Sequence, residues 1–498
     1  MPDGWVVDGT TGYEFLAAVN GLFVAQESER AFDGIWARIS GRREDFRDAA
    51  AEKKRLVMSS SMASEVNMLA HRLNRISEMN RRTRDFTLNE LTRALIEVVA
   101  QFPVYRTYAS PRGEVDDRDR ALVEQAIARA RRRSPVVDPS IYDFIRDVIL
   151  LRYPEELTEA ERHDWLEFTL KLQQVTGPVT AKAVEDTAFY TYLRLVSLNE
   201  VGGEPRKFGA SPEEVHALFA ERRERFPASL NATSTHDTKR SEDVRVRIDA
   251  LSEVPGEWRS ALVRWQRLNA PHLAGENGHG APDRVDELLL YQTLVGAFPD
   301  GGLRPGTAAF PEFVARIQAY MEKALREAKR HTSWTSPNEP YEAAVRGFVE
   351  RVLSSGEFLA DLRAVAGRMA HAGRISSLAQ VAVKCAAPGV PDVYQGCELW
   401  DLSLVDPDNR RPVDFALRAR ALEEIERELE RGAAARAALA RRLSSDEGLK
   451  DGRAKLLLLR VALHLRQALR ELFLGGDYLP LLADGPLARH VFAFARVD

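Results

Sequence analysis

Residues 231 to 245 read "NATSTHDTKRSEDVR" and place an imidazole, a carboxylate and two cations within five positions, His236, Asp237, Lys239 and Arg240. A carboxylate beside an imidazole can hold hydroxyls, take up or release a proton, or stabilise developing positive charge. A second charged pair, Lys182 and Glu185 in "AKAVEDTAFY", lies three residues apart, the spacing of neighbours on one helix face. Thr233 to Thr235 suit an extended segment, and Ser241 followed by Glu242 and Asp243 suits a helix start. His236 to Arg240 are therefore expected on the loop leaving a strand, the catalytic face of an α/β barrel. The competing reading makes Asp237 a helix cap and His236 a packed neighbour, and spacing alone leaves both open. Lys182 and Glu185 are likewise open between a site and an exposed helical pair of negligible energy.

The elements that must position these groups are mostly helical. Apolar residues recur three and four apart in 94 to 102, 215 to 226, 316 to 330 and 421 to 443. Strand-like runs are few: "PVYRTY" (103 to 108), "SLNATST" (229 to 235), "VAVKCAAPG" (381 to 389) and, near the end, "HVFAFARV" (490 to 497). Loops rich in Gly, Pro, Asn or Asp are expected at 109 to 117, 199 to 212, 269 to 283 and 298 to 311. The glycines of 275 to 280 are not a phosphate-binding loop, since neither a preceding strand nor G-K-[ST] accompanies them. The cluster "ARARRRS" (128 to 134) has flanking acids and no interleaved aromatics, which fits a solvated helix face.

Bulk composition excludes several classes. With 70 basic and 74 acidic residues the net charge is −4, which implies no polyanion-binding surface, so no nucleic acid is expected. Two cysteines, Cys385 and Cys397, cannot build a disulfide framework and suit a reducing cytoplasm as buried thiols. The longest apolar run, 455 to 465, is broken by Arg460 and His464 and is too short for a bilayer, so no membrane partner is expected. A calcium loop in "DPDN" fails for want of the EF-hand glycine and twelfth-position Glu, and histidines at H-x-x-x-H spacing do not occur, so no metal is expected. At 498 residues the chain should hold two to four domains.

Longer stretches carry a resemblance. "THDTKRSEDVR", followed about 150 residues later by "GVPDVYQGCELWDLSLVDPDNRRPVDF", resembles the last motif regions of the α-amylase superfamily, in the wording of its maltooligosyltrehalose synthase family. "VDGTTGYEFL" (7 to 16), 183 to 205 and 321 to 345 are similar to that family too, in the same order. The resemblance implies an α/β, largely helical chain: a partial (β/α)8 TIM barrel with strands six to eight, large helical insertions and the start of a C-terminal β domain. On this reading 1–112 run from after strand five through strand six, 113–224 form a helical insertion and 225–250 hold strand seven with its catalytic loop. A second insertion spans 251–364, strand eight and its loop and helix 365–440, and the C-terminal domain begins in 441–498. "PVYRTY", "SLNATST" and "VAVKCAAPG" are the expected strands six, seven and eight.

The same resemblance implies an isomerase: intramolecular transglucosylation of the reducing-end α-1,4 bond of a maltooligosaccharide to an α,α-1,1 bond, in trehalose biosynthesis. The retaining scheme needs a nucleophilic Asp and an acid/base Glu and neither metal nor organic cofactor. In the family both precede the stretch matching "GTTGYEFL", which starts here at Gly9, so they are expected to be absent from the chain. The chain alone is then expected to be inactive, with an N-terminal complementing half as a partner if the enzyme is split. A maltooligosyltrehalose trehalohydrolase would act beside it in the pathway.

By resemblance Asp237 is the third carboxylate, holding hydroxyls of the −1 glucose, and His236 binds the same sugar. Lys239 and Arg240 bind substrate, Lys239 as a donor to the reducing-end glucose. Lys182 and Glu185 form a polar clamp on that glucose, Tyr13 is a sugar contact, and Tyr190, Arg194 and Asn199 are weaker candidates. Glu398 and Asp406 hold loops. Two alternatives remain: a non-catalytic α-glucan-binding remnant, and another glucan hydrolase or transferase of the superfamily.

Overall fold

The computed structural model describes residues 5–43, 45–274 and 280–498. The expectation about the glycines of 275 to 280 falls almost wholly outside these. The chain is largely helical and divides into two compact units, Met1–Trp5 with Glu44–Tyr192, and Val6–Arg43 with Leu193–Asp498.

The first unit is helical. Helices Phe46–Ser59, Ala63–Glu78, Leu88–Ala100, Asp117–Arg133, Pro139–Ile149 and Glu159–Thr180 bury their apolar stripes in one core around Leu73, Leu95, Ile127, Ile145, Phe168 and Leu172. Their starts are written in the sequence. Thr87 with Glu90, and Thr158 with Glu161, close reciprocal capping boxes, while Asp116 and Asp138 cap the two helices between. Arg131 pairs with Asp143 and Arg133 with Asp48, so the basic cluster is a solvated helix face as expected. "PVYRTY" is not a strand: residues 103 to 108 run irregularly after Leu88–Ala100. A β-rich hexamer has no ladder partner here, and without one its propensity decides nothing.

The second unit is built on helix Glu242–Asp249, buried along its whole length. It packs against Arg284–Ala297 and the 31-residue helix Gly356–Ala386. That long helix overturns the expected strand at 381 to 389, because "VAVKC" continues its buried stripe through Val381 and Cys385. Only after Gly389, at a φ of +122°, does the chain extend, as Val390–Pro391. This strand is parallel to Leu230–Asn231, joined to it by a helical crossover. On the other side of Leu230–Asn231, the Leu230 N–H donates to the Thr10 carbonyl at 3.1 Å. Gly12, at φ +90°, is required there because a Cβ would strike the Leu230 carbonyl. The segment beside strand 230–231 is thus residues 9 to 12, not 103 to 108, and it is also held by the Thr10 N–H, which donates to the Ser229 hydroxyl at 3.1 Å.

The expected helices at 215 to 226 and 316 to 330 appear as Pro212–Arg225 and Ala309–Ala328. The run 421 to 443 breaks into Phe415–Glu430 and Ala433–Leu443 at Gly432, whose φ is +98°. "HVFAFARV" supplies strand Ala493–Val497, antiparallel to Asp477–Leu481. Tyr478 and Phe494 of this pair, with Phe492 just before it, pack on Val215 and Phe219.

Candidate active site

The C-terminal ends of the two parallel strands open into loops 232–241 and 392–411, the edge of an α/β sheet where ligands bind. His236 and Asp237 form the turn at the tip of the first loop, His236 exposed and Asp237 half-buried. The helix-cap reading of Asp237 fails. The helix starts at Glu242, whose N–H donates to the Ser234 hydroxyl at 2.8 Å.

Below the tip, nearly every polar group of the loop is satisfied. The Asp237 N–H donates to Thr235 Oγ1 at 3.1 Å, and the Thr238 hydroxyl to the Thr235 carbonyl at 3.0 Å. Asn409 Nδ2 donates to the carbonyls of Thr235 (3.4 Å) and His236 (3.2 Å). Arg245, fully buried, ties the two ends together by donating to the carbonyls of Thr233 and Arg240. By contrast, among the described residues the Asp237 carboxylate and the His236 ring have no partner in the protein. A rigid loop presenting an unpartnered half-buried carboxylate is built to meet a ligand, since such a group otherwise gains nothing from leaving water.

The structure brings Tyr13 to the same place. It opens helix Tyr13–Gly21 and its hydroxyl lies 3.5 Å from Thr235 Oγ1. Lys239 and Arg240 are buried, not at the tip. Their N–H groups donate to Glu200 at 2.7 and 3.1 Å. The Arg240 guanidinium is committed to the Val196 carbonyl (3.1 Å) and Tyr320 hydroxyl (2.7 Å), so it braces the loop from behind. Arg194 is committed as well, to Glu29, Asp33 and the carbonyls of Pro205 and Arg206. Asn199 is buried in this unit. Glu398 accepts from Arg418 and the Gly396 N–H, and Asp406 pairs with Lys323, both fastening loops.

Lys182 and Glu185 belong to the first unit, on the π-helical turn Ala181–Glu185 that ends the long helix Glu159–Thr180. Lys182 is exposed and pairs with Asp186 at 2.8 Å, whereas Glu185 is buried and accepts from the Tyr105 hydroxyl. They are therefore not an exposed pair on a regular helix. Tyr190 is buried beside them in sequence.

Beneath the loop of the second unit lies a buried ionic cluster that sequence reading missed. Lys455 Nζ sits 2.7 Å from Glu242 and 2.9 Å from Asp243, and Lys384 Nζ donates to the Thr233 hydroxyl at 2.8 Å, 3.4 Å from Glu242. Burial would raise the Glu242 pKa, but the two ammonium groups overcome it and hold it well below the usual carboxylate range. Burial would lower that of Lys455, but Asp243 and Glu242 drive it above its ordinary value. Both thiols are buried with raised pKa values, burial being the main cause.

Asp249, at the far end of the buried helix, is pushed from 3.8 to about 7 by burial, against the pull of Ser197, Arg245 and Asn20. A raised carboxyl pKa favours the folded state below 3.8 and loses that contribution as pH rises through about 7. Asp249→Asn, a permanently neutral analogue, is expected to flatten stability over this range and raise the urea midpoint at pH 8. An unchanged pH profile in denaturant titrations would refute the assignment.

The chain matches no protein-family model. Two curated proteins of Mycobacterium tuberculosis strains CDC 1551 and H37Rv, both named maltooligosyl trehalose synthase, are 35% identical to it over 492 residues, covering 99% of this chain. The solved maltooligosyltrehalose synthase of Arthrobacter ramosus superposes with a TM-score of 0.81 at 32% identity, over 100% of this chain and 56% of that one. The chain is similar to maltooligosyltrehalose synthases along its whole length. A Sulfolobus tokodaii maltooligosyl trehalose synthase structure agrees, with a TM-score of 0.71 at 30% identity over 97% of this chain and 56% of that one. The maltooligosyltrehalose synthase resemblance carried by "THDTKRSEDVR" and "GVPDVYQGCE" therefore extends to the fold. The chain spans about half the length of the curated maltooligosyl trehalose synthases it matches, 55%.

Among the described residues no helix is long and apolar enough to cross a membrane. The one ligand-like cluster found among them, Asp283, Asp286 and His331, already has Arg330 on both carboxylates.

Proposed function

We propose that this chain carries the sugar-holding half of a maltooligosyltrehalose synthase, in which Asp237 is the carboxylate that grips the −1 glucose and stabilises the oxocarbenium-like transition state. The observation that carries this reading is that, among the described residues, the Asp237 carboxylate has no partner in the protein, on a loop whose backbone is held by Glu200, Arg245 and Asn409. His236 contacts the same sugar, Tyr13 borders it, and Lys239 donates to the reducing-end glucose from the inner side. Arg240 is assigned to positioning, because both its terminal nitrogens already donate inside the protein. On the first unit, Lys182 and Glu185 offer a glucose an exposed ammonium and a carboxylate held in place by Tyr105. The strands 230–231 and 390–391, flanked by 9–12, are taken as part of a (β/α)8 barrel, with 113–224 and 251–364 as helical insertions.

The reaction is intramolecular: the reducing-end glucose is cleaved, retained, turned and rejoined through its anomeric hydroxyl, so a site that holds sugar while excluding water does most of the work. The nucleophile and acid/base are assigned to sequence outside these 498 residues. The trehalosyl product then suits a hydrolase that releases trehalose.

Incubation with maltohexaose tests the reading. Calorimetry should show binding to the chain, product analysis no trehalosyl terminus, and a chain extended to the length of its relatives should form one. Turnover by the 498-residue chain alone would overturn the division of labour. Release of free glucose by the extended chain as sole product would favour a hydrolase, and binding with no activity at either length a non-catalytic glucan binder.

A further inference from the structure

We infer that Glu200 is a positioning residue for the sugar-binding loop, holding Asp237 in place through the main chain without touching substrate. The inference rests on the reading of Asp237 given above. Glu200 is buried, and its carboxylate collects three backbone amides. Oε1 accepts from Val201 at 2.9 Å and Lys239 at 2.7 Å, and Oε2 accepts from Arg240 at 3.1 Å. Arg245 is 3.6 Å away and already donates to the carbonyls at both ends of the loop. Glu200 therefore faces the N–H side of the loop while Arg245 holds its C=O side, and Asp237 is two residues from the first gripped amide.

The same turn backs Tyr13. Gly202 has φ +75°, and a Cβ there would lie 2.7 Å from the Tyr13 Cβ. One carboxylate thus fixes two proposed sugar contacts relative to each other: Tyr13 through the turn that begins at Glu200, and Asp237 through the amides of 239 and 240. Only an ionised carboxylate offers two oxygens that accept and never donate. Glutamine has the same shape, but its NH2 must face either the Lys239 and Val201 amides or that of Arg240. Glu200→Gln is therefore a change of hydrogen-bond polarity at constant volume.

The test uses the 498-residue chain and maltohexaose. In Glu200→Gln, amide exchange at Lys239 and Arg240 and limited tryptic cleavage after them should accelerate about tenfold. Maltohexaose affinity should fall about tenfold, the factor that one lost charge-assisted hydrogen bond carries. Glu200→Asp, which keeps both accepting oxygens, should recover part of each effect. Val349→Ala, a core truncation in helix Glu339–Ser354, controls for general destabilisation and should leave both local readouts unchanged. Unchanged exchange and cleavage in Glu200→Gln would overturn the mooring, and faster exchange with wild-type affinity would overturn its role in the site. A wild-type chain that binds no maltohexaose would overturn the sugar reading of Asp237, while exchange would still decide whether Glu200 holds the loop.

Discussion

Asp237→Asn should lower trehalosyl-forming turnover by about a thousandfold while leaving the thermal midpoint of the protein where it was. The two halves of this expectation come from one observation. Among the described residues the Asp237 carboxylate accepts no hydrogen bond and joins no ion pair, so its loss removes nothing that holds the fold. Substitutions away from packed or paired positions usually change stability by less than about 0.5 kcal/mol. A carboxylate that strengthens its hold on sugar hydroxyls as positive charge develops contributes only in the transition state, and a thousandfold corresponds to about 4 kcal/mol there. Because the amide keeps the shape and one acceptor, ground-state binding of maltohexaose should weaken far less than turnover. The measurement is steady-state kinetics on a chain extended to the length of its relatives, with differential scanning calorimetry on the same samples. Near-normal turnover, or a large drop in the midpoint, would remove Asp237 from the chemistry.

That carboxylate could be found in the sequence, but its supports could not, and the reason is physical. His236 and Asp237 stand out because charged residues dense at the end of an extended run have a short list of uses. Glu200 and Asn409 act on this loop from 39 and 173 residues away along the chain, through its backbone amides and carbonyls. Such bonds leave no trace in local periodicity. The helix Leu88–Ala100 was legible at 94 to 102 because apolar spacing is local. The strands were legible in part: 229 to 235 and 490 to 497 hold Leu230–Asn231 and Ala493–Val497, but β-propensity without a partner misplaced one strand at 103 to 108 and another inside the helix Gly356–Ala386. Arg240 read as a ligand from its neighbours' company, whereas burial turned it inward to Val196 and Tyr320.

Lys455→Met is expected to cost about 3–5 kcal/mol of stability, the usual result of stripping one partner from a buried ionic cluster. The apolar run 455 to 465 begins with Lys455 as a buried ammonium, while Val461, Leu463 and Leu465 further along it are exposed. Its Nζ bridges Glu242, Asp243 and the Leu399 carbonyl, so removing it leaves Glu242 beside Lys384 and Asp243 with hydrogen bonds from the Ser377 hydroxyl and the Asp401 N–H. Methionine keeps the stem's volume, which confines the loss to electrostatics and hydrogen bonding. The pH dependence has a definite sign. Glu242, depressed in the folded state, contributes stability above its ordinary 4.5 that disappears as pH falls through the folded value. Lys455, raised in the folded state, contributes stability below its ordinary 10.5 that disappears as pH rises through the folded value. The wild-type plateau between these limits should drop in Lys455→Met, and its acid limb should move to higher pH because Glu242 has lost one of its two ammonium neighbours. Glu242→Gln added to Lys455→Met should cost less than the sum of the single changes, since the charge left unpaired by one is removed by the other. Urea titrations across pH decide the matter. A Lys455→Met midpoint within about 1 kcal/mol of wild type, or strict additivity in the double variant, would show that the cluster does not hold the loop beneath Asp237.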